Sequence, residues 1–404
     1  MTVPFSKSEY NRLLILSYLY GNHIPKPTYD CPDDVKLLYK TLDEFPQQTI
    51  DCDNAGTVLR FMLSVVAAKR QPYPIVITGS DRMLERPIEP LVSILQQLGA
   101  DISYIGKNGF PPVRVNSSVN QDCCSEIFFN DVVSSQFVSS IMMIAPVFTH
   151  GLIIHYNNIP SFEYVRMTSE MMNCFGLKNE ITKNEIKVCH FGNEVNIKDS
   201  ILERDWSSAA YIYPILLIDN KLQPLIKGLH NSNLQGDEMI VSIAEMFGIV
   251  SDNTNDGTVL HYDKSRMVRE RNIDVINVPD LTPAIATLAS LQDGRTNITG
   301  MKNLKWKESD RLTCIVGNLS KLRIDVQMNS NDSITIISED TICKIRNIES
   351  QITVSSSNDH RIAMSLYPFT LLNPNILIDD LKCISKSFPN FIGEISTFFN
   401  TFAV

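Results

Sequence analysis

The sequence predicts an α/β fold made of repeated units, three in each half of the chain, and three observations carry that expectation. The stretch from Arg82 to Val115 reads as one complete unit: a charged lead-in, an amphipathic helix and a hairpin. The helical spacing of that unit returns five more times along the chain. The composition, 44% hydrophobic and 20% charged over 404 residues, is that of a globular chain long enough for two cored domains.

Within the unit, Arg82 and Arg86 lie beside Glu85 and Pro87. A first helical turn tolerates proline because the missing N–H has no helical partner there. Ile88, Leu91, Val92, Leu95 and Leu98 then recur at steps 0, 3, 4, 7 and 10, one face of a helix, and Gly99 follows as a stop. Ile102 and Tyr104 read as a strand, Asn108-Gly109 as a hairpin turn, and Val113 and Val115 as the return strand. The same register marks Val35 to Phe45, Leu312 to Leu322 and Phe388 to Phe398. Weaker copies, Val165 to Phe175 and Ile240 to Phe247, are closed by Gly176 and Gly248. Helix starts therefore fall near 35, 88, 165, 237, 312 and 388.

Nine cysteines, an odd number with no Cys-x-x-Cys pair, fit a reducing compartment, and Cys123-Cys124 reads as two adjacent thiols. A net charge of −9 argues against a nucleic-acid surface, while leaving room for a locally basic cleft. Lys7 and Arg12 ahead of Leu13 to Tyr20 mimic a short signal peptide, but Gly21 to Pro25 offers no small-x-small cleavage site. No apolar run approaches the ~20 residues of a membrane span. The expectation is a soluble, cytoplasmic protein.

Polar and cationic residues gather at helix starts. Ser6-Lys-Ser8, with Arg12, leads into the first apolar helix, where a serine caps and the free N–H groups attract anions. Asp53 to Thr57 places Gly56 at another helix start, where the backbone can approach an anion closely. Ile75 to Ser80 reads as a buried strand that delivers Arg82 from its end. Val133-Ser-Ser-Gln136 and Ser161 repeat the theme, and Asp205-Trp-Ser-Ser208 marks the passage between the halves. Each of these is equally well an ordinary N-cap; together they suit a phosphorylated, hydroxyl-rich ligand.

The second half adds acids to bases. Val278-Pro-Asp280 reads as the end of a strand, Lys307-Glu-Ser-Asp-Arg311 leads into the fifth repeat helix, and Asn358-Asp-His-Arg361 precedes another helix. Ser385-Lys-Ser-Phe-Pro389 opens the last repeat. A carboxylate pair among several cations is what proton transfer on a multiply charged anion requires. A lone histidine such as His360 is ordinarily structural, but its place between charged residues at a helix start makes it a site candidate.

Eight motifs in this order carry a resemblance. They are Ser6-Lys-Ser8 with Asn11-Arg12, Asn54 to Thr57, Arg82-Met83 with Glu85 to Ile88, Ser134 to Gln136, Pro279-Asp280, Lys307-Glu308 with Asp310-Arg311, Asn358 to Arg361, and Ser385 to Pro389. Over nearly its whole length the chain resembles the 3-phosphoshikimate 1-carboxyvinyltransferase (5-enolpyruvylshikimate-3-phosphate synthase) family of enolpyruvyl transferases. The resemblance implies two similar inside-out α/β barrel domains, each of three βαβαββ-like units, with the active site in the interdomain cleft. The expected boundaries are 7–204 and 205–404, with 1–6 as a shortened crossing segment. It implies transfer of the enolpyruvyl group of phosphoenolpyruvate to the 5-hydroxyl of shikimate 3-phosphate, through a tetrahedral intermediate. It implies no metal and no organic cofactor, small molecules as the only partners, neither nucleic acid nor membrane, and a monomer.

Carried over residue by residue, Ser8, Arg12, Ser134, Ser135, Ser161, Asn303 and Lys307 resemble the shikimate 3-phosphate contacts, with Asp280 beside them. Lys7, Asn54, Gly56, Arg82, Arg311, His360, Arg361 and Lys386 resemble the phosphoenolpyruvate contacts, and Gln136 touches both ligands. Asp280 is expected to accept the proton of the attacking hydroxyl. Glu308, helped by Lys7, is expected to move the proton on and off the methylene carbon.

Two departures stand out. The family turn has glycine where Phe5 stands, and roughly fifteen more residues precede it, so the strand usually lent to the C-terminal domain is expected to be absent or mostly so. Arg204 replaces a small residue at the second crossing. Two other readings share the fold: a transferase acting on a UDP-amino sugar, and a non-catalytic phosphometabolite binder. The first carries a loop cysteine with no match here and lacks the Asn-Asp-His-Arg arrangement; Asp280 and Glu308 argue against the second.

Overall fold

The computed structural model describes every residue except 22, 124, 131–133, 192–194, 196–201 and 403–404. Cys124 and Val133 of the motifs above therefore lie outside the described residues. The chain forms two compact units. One comprises Lys7–Tyr29 and Asp34–Leu202; the other comprises Met1–Ser6, Asp30–Asp33 and Glu203–Val404.

The first unit holds two four-stranded sheets of one topology. In the first, Thr49–Asp51 runs parallel to Ile75–Thr78, which pairs antiparallel with Val113–Ser117, itself paired with Asp101–Tyr104. In the second, Glu126–Phe129, Leu152–Tyr156, Glu185–Val188 and Asn179–Ile181 repeat that order. Parallel neighbours require a crossover, and a helix supplies each one. The crossover helices are buried nearly all round. Every residue of Gly56–Ala68 except Thr57 is buried, as is all of Ser135–Ile144 but Gln136, the pattern of an interior helix rather than a surface one. Leu59, Phe61, Met62 and Val65 are buried, and so are the residues on the helix's other faces. The second helix of each repeat, Glu89–Gln97 and Glu163–Cys174, is amphipathic and buries one stripe. Gly99, Gly176 and Gly248 all sit at φ between +85° and +93°, where a side chain would be strained, so the predicted stops are helix ends.

The second unit repeats the plan. Glu270–Asp274 runs parallel to Gly294–Thr299, followed in the sheet by Ser333–Ser338 and Asp325–Ser330. Its crossover helix, Thr282–Leu291, is buried at every position and packs on His360–Leu372. The predicted helices near 237, 312 and 388 are Ile240–Glu245 after a short turn, Arg311–Lys321 and Phe391–Phe402. No helix among the described residues is long and apolar enough to cross a membrane.

Two local expectations need correction. The link after Tyr104 is no two-residue hairpin, because the return strand resumes only at Val113, and Pro111 and Pro112 have no N–H to extend the ladder. Asp280 does not end a strand: Glu270–Asp274 stops earlier, and Asp280 lies in the turn Pro279–Leu281 that opens the interior helix. Residues 1–6 form no strand, as expected, yet their backbone docks on this unit. The Met1 amine donates to Leu225 O at 2.8 Å, the Lys227 N–H to Met1 O at 2.9 Å, and the Asp205 N–H to Pro4 O at 3.0 Å. Val3 is buried in the core of this unit. The two departures meet: Phe5 and Arg204 form a β-bridge, with the guanidinium 4.3 Å from the ring and donating to Val3 O at 2.9 Å.

Candidate active site

In the second unit a turn and two helix starts converge. Asp280 comes from the turn Pro279–Leu281, Lys307, Glu308 and Arg311 from the start of Arg311–Lys321, and Arg361 from the start of His360–Leu372. Arg311, 1% exposed at its side chain, binds three acids: Asp280 at 2.7 Å, Glu308 at 2.7 Å and Asp359 at 2.8 Å. Lys307 Nζ reaches Asp280 Oδ1 at 3.1 Å, and Arg361 Nη2 reaches Asp280 Oδ2 at 3.1 Å. Burial alone would raise the Asp280 carboxyl; Arg361, Lys307 and Arg311 outweigh it and hold the group well below the usual carboxylate range. Burial likewise opposes the charge of Arg311, but Asp359, Glu308 and Asp280 keep the guanidinium firmly protonated.

Asp359 was missed among the candidates although its motif was noticed. It is fully buried, caps its helix by accepting the Arg361 N–H at 3.0 Å, and also accepts from Ser309 Oγ at 3.0 Å. Its signal was its position one residue before a helix in a stretch rich in buried arginine, which needs a buried acid. Ser357 and Asn358, at φ +52° each, bend the backbone so that Asn358 O lies 3.2 Å from Lys386 Nζ. His360 is 1% exposed, with Nδ1 3.8 Å from Asp359 Oδ1, so its ring turns into the protein. Asn303 is half-buried at the head of the turn Leu304–Trp306.

In the first unit the candidates fall into two groups. Arg12 is 2% exposed and donates to Thr168 Oγ1 at 2.7 Å, Ser8 O at 2.8 Å, Tyr164 O at 3.0 Å and Ser139 Oγ at 3.2 Å. Burial draws its basicity down to about 10, with Tyr164 and Glu9 opposing. Lys7 Nζ pairs with Asp34 at 2.9 Å. The second group surrounds Gly56: a Cβ there would collide with the guanidinium groups of Arg60 and Arg86, both nearly buried. Gln136 Nε2 donates to Thr57 Oγ1 at 3.1 Å, Ser134 caps its helix, and Ser135 is buried beside it. Asn54 is 4% exposed, and its Oδ1 is buried with no hydrogen-bond partner among the described residues. Arg82, in the short helix Asp81–Leu84, pairs with Glu85 at 2.8 Å. Ser161, nearly buried, takes a left-handed φ of +58° two residues before its helix. Asp34, Thr168, Arg60 and Arg86 were not picked out beforehand; only Arg86, inside the arginine-rich lead-in, carried a sequence signal.

A cluster of buried cations and carboxylates at helix starts, on repeated βαβαββ units, defines a class of enzyme that handles multiply charged anions by proton transfer. The family model for EPSP synthase (3-phosphoshikimate 1-carboxyvinyltransferase) matches residues 34–395. A Bacteroides fragilis protein named 3-phosphoshikimate 1-carboxyvinyltransferase is 32% identical over 97% of this chain and 93% of its own length. A relative of the same name from Methanoculleus marisnigri is 32% identical over 85% of this chain and 78% of its own. The solved EPSP synthase of Acinetobacter baumannii has the same fold, with a TM-score of 0.69 at 20% identity over 98% of this chain and 94% of that one. The chain belongs to the EPSP synthase family, whose two-domain inside-out α/β fold it shares.

Proposed function

We propose that this chain transfers the 1-carboxyvinyl group of phosphoenolpyruvate to the 5-hydroxyl of shikimate 3-phosphate and releases phosphate, a step toward chorismate and the aromatic amino acids. The observation that carries the reading is Asp280 held by Lys307, Arg311 and Arg361, with Glu308 on the same arginine. The three cations that depress Asp280 are those assigned to the anionic substrates. When a phosphate or carboxylate engages them, their hold on Asp280 weakens and its basicity rises toward that of a useful base.

The chemistry then runs in two steps. Glu308, with Lys7 assisting, gives a proton to the methylene carbon of phosphoenolpyruvate. The acceptor's 5-oxygen bonds to the adjacent carbon, and Asp280 takes the hydroxyl proton. In the second step the methyl carbon returns a proton to Glu308, the double bond reforms, and the C–O bond to phosphate breaks, the departing phosphate taking up a proton equivalent to the one Asp280 removed. Arg311, Arg361, Lys386, Arg82, Asn54, Gly56 and the buried His360 are assigned to the phosphoenolpyruvate side. Ser8, Arg12, Ser134, Ser135, Ser161, Asn303 and Lys307 are assigned to the acceptor side, and Gln136 to both. Arg12, whose guanidinium donates to four protein groups, acts chiefly by ordering Ser8 and Ser139.

The reading carries with it a monomer acting in the cytoplasm on small molecules. Phosphate release from phosphoenolpyruvate, measured with and without shikimate 3-phosphate, tests it. Release that requires both compounds is expected; release unaffected by the acceptor, or activity only with a UDP-amino sugar, overturns it.

A further inference from the structure

Thr168 sits where helices of the first unit meet around Arg12, and no step of the scheme above uses it. It lies on Glu163–Cys174, fully buried, and its Oγ1 accepts from Arg12 Nε at 2.7 Å. The same oxygen is 2.8 Å from Tyr164 O, one turn earlier in that helix, and 2.9 Å from Ser139 Oγ of Ser135–Ile144. A threonine has a single hydroxyl hydrogen. Given to Tyr164 O, which can only accept, it leaves the lone pairs of Oγ1 to the guanidinium. Phe61 of Gly56–Ala68 and the Tyr164 ring cover the guanidinium, with centroids 5.5 and 5.9 Å from its central carbon.

The groups that bond Arg12 are Thr168 Oγ1, Ser139 Oγ, Tyr164 O and Ser8 O, and none of them carries charge. Glu9, buried on the same helix, supports the cation without an ion pair to it among the described residues. Buried cations are ordinarily bonded to a carboxylate, as Arg311 is to Asp359. Here hydrogen bonds satisfy the N–H groups and leave the charge for something else to meet. The donors are nearly used up as well. Nε serves Thr168, Nη2 serves Ser139 and Tyr164, and Nη1 keeps one hydrogen beyond the one given to Ser8 O. A charge and one aimed donor therefore remain for an anion, and the tie at Nε fixes the plane in which that donor lies.

We infer that Thr168 is a positioning residue for the anionic acceptor: by holding Nε it aims the Arg12 guanidinium and, through Nη1, steadies the Ser8 backbone. A valine in its place fills the same volume but turns a methyl toward Nε. That strands one donor of a buried cation, so the guanidinium tilts to find another acceptor and its remaining donor leaves the ligand. This assignment rests on the proposed function.

The test compares Thr168→Val, which removes the acceptor, with Thr168→Ser, which keeps it. In Thr168→Val the KM for shikimate 3-phosphate, and its Kd by calorimetry, are expected to rise roughly tenfold or more, while kcat and the KM for phosphoenolpyruvate stay within about twofold. Thr168→Ser is expected to bind shikimate 3-phosphate within about threefold of wild type, although it loses a buried methyl. A merely structural role predicts the reverse order of evidence: both variants melt earlier, and the folded fraction of each keeps the wild-type KM. Should Thr168→Val not fold, Thr168→Ala carries the same comparison with the serine variant. Unchanged affinity in the variant that lacks the hydroxyl, an equal rise in both KM values, or a Thr168→Ser variant that binds as weakly overturns this assignment alone. Wild type that neither binds shikimate 3-phosphate nor releases phosphate overturns the functional reading and this assignment with it.

Discussion

Arg311 is at the centre of the second unit's chemistry because it is almost wholly buried and yet surrounded by three carboxylates. Replacing any one of those acids has a different consequence. Glu308 is 14% exposed at its side chain and bonds Arg311 Nη2, so its removal leaves Asp280 and Asp359 on the guanidinium. Glu308→Gln is expected to lower turnover by ~10²–10⁴ while shikimate 3-phosphate affinity, read by calorimetry, stays close to wild type. An affinity that falls in parallel with activity contradicts the acid–base role. Asp359 is fully buried, and it both pairs Arg311 and caps a helix. Asp359→Ala is expected to cost about 2–4 kcal/mol of stability, because it removes a helix cap and one of the three carboxylates that hold the buried guanidinium; denaturant melts showing under 1 kcal/mol would refute that. At this scale the sequence named the charged residues of the cluster through their motifs. It could not show which acid pairs with which base, since Asp280, Arg311 and Asp359 come from segments far apart in the chain.

Among the elements, the second helix of each repeat was the most legible. Leu91, Leu95, Ile315 and Leu319 bury one stripe against the unit and leave the rest polar, which writes a 3.6-residue period into the sequence. The interior helices were harder to place. Val58 to Ala68 are buried on every face, so no polar stripe reveals which side faces what. The strands are short, and Pro111-Pro112 fixes where one begins, at Val113. Gly56 shows an element-scale constraint that motif matching alone could not explain: it opens an interior helix beneath two guanidinium groups. Gly56→Ala is expected to displace Arg60 and Arg86 and to lower kcat/KM for phosphoenolpyruvate by roughly tenfold or more, mostly through KM. Unchanged kinetics would mean those arginines move aside without consequence.

For the molecule as a whole, the chain does not divide at a single point. Met1–Ser6 belongs with Glu203–Val404, and the main chain of Met1 completes the edge of Leu225–Lys227. Sequence reading expected the strand before the turn to be absent or mostly so, and residues 1–6 form no strand, only the bridge Phe5–Arg204 and single backbone bonds, whose groups carry no sequence signature. Removing residues 1–5 is expected to expose the edge of Leu225–Lys227 and uncover Val3's place in the core. Hydrogen exchange at the Lys227 amide should accelerate by about tenfold or more, and the Tm of the unit should fall. Exchange unchanged at Lys227 would show that the segment docks without stabilising anything.

The account's central claim is that the double bond of phosphoenolpyruvate is protonated at its methylene carbon, attacked by the acceptor oxygen, and then restored. The direct measurement is NMR of the product formed from phosphoenolpyruvate and shikimate 3-phosphate in deuterated water. Addition followed by elimination passes through a methyl group, so deuterium is expected in the vinyl methylene of the product. An enolpyruvyl ether formed without deuterium would contradict the proton transfers assigned to Glu308, and inorganic phosphate appearing with no such ether would contradict the transfer itself.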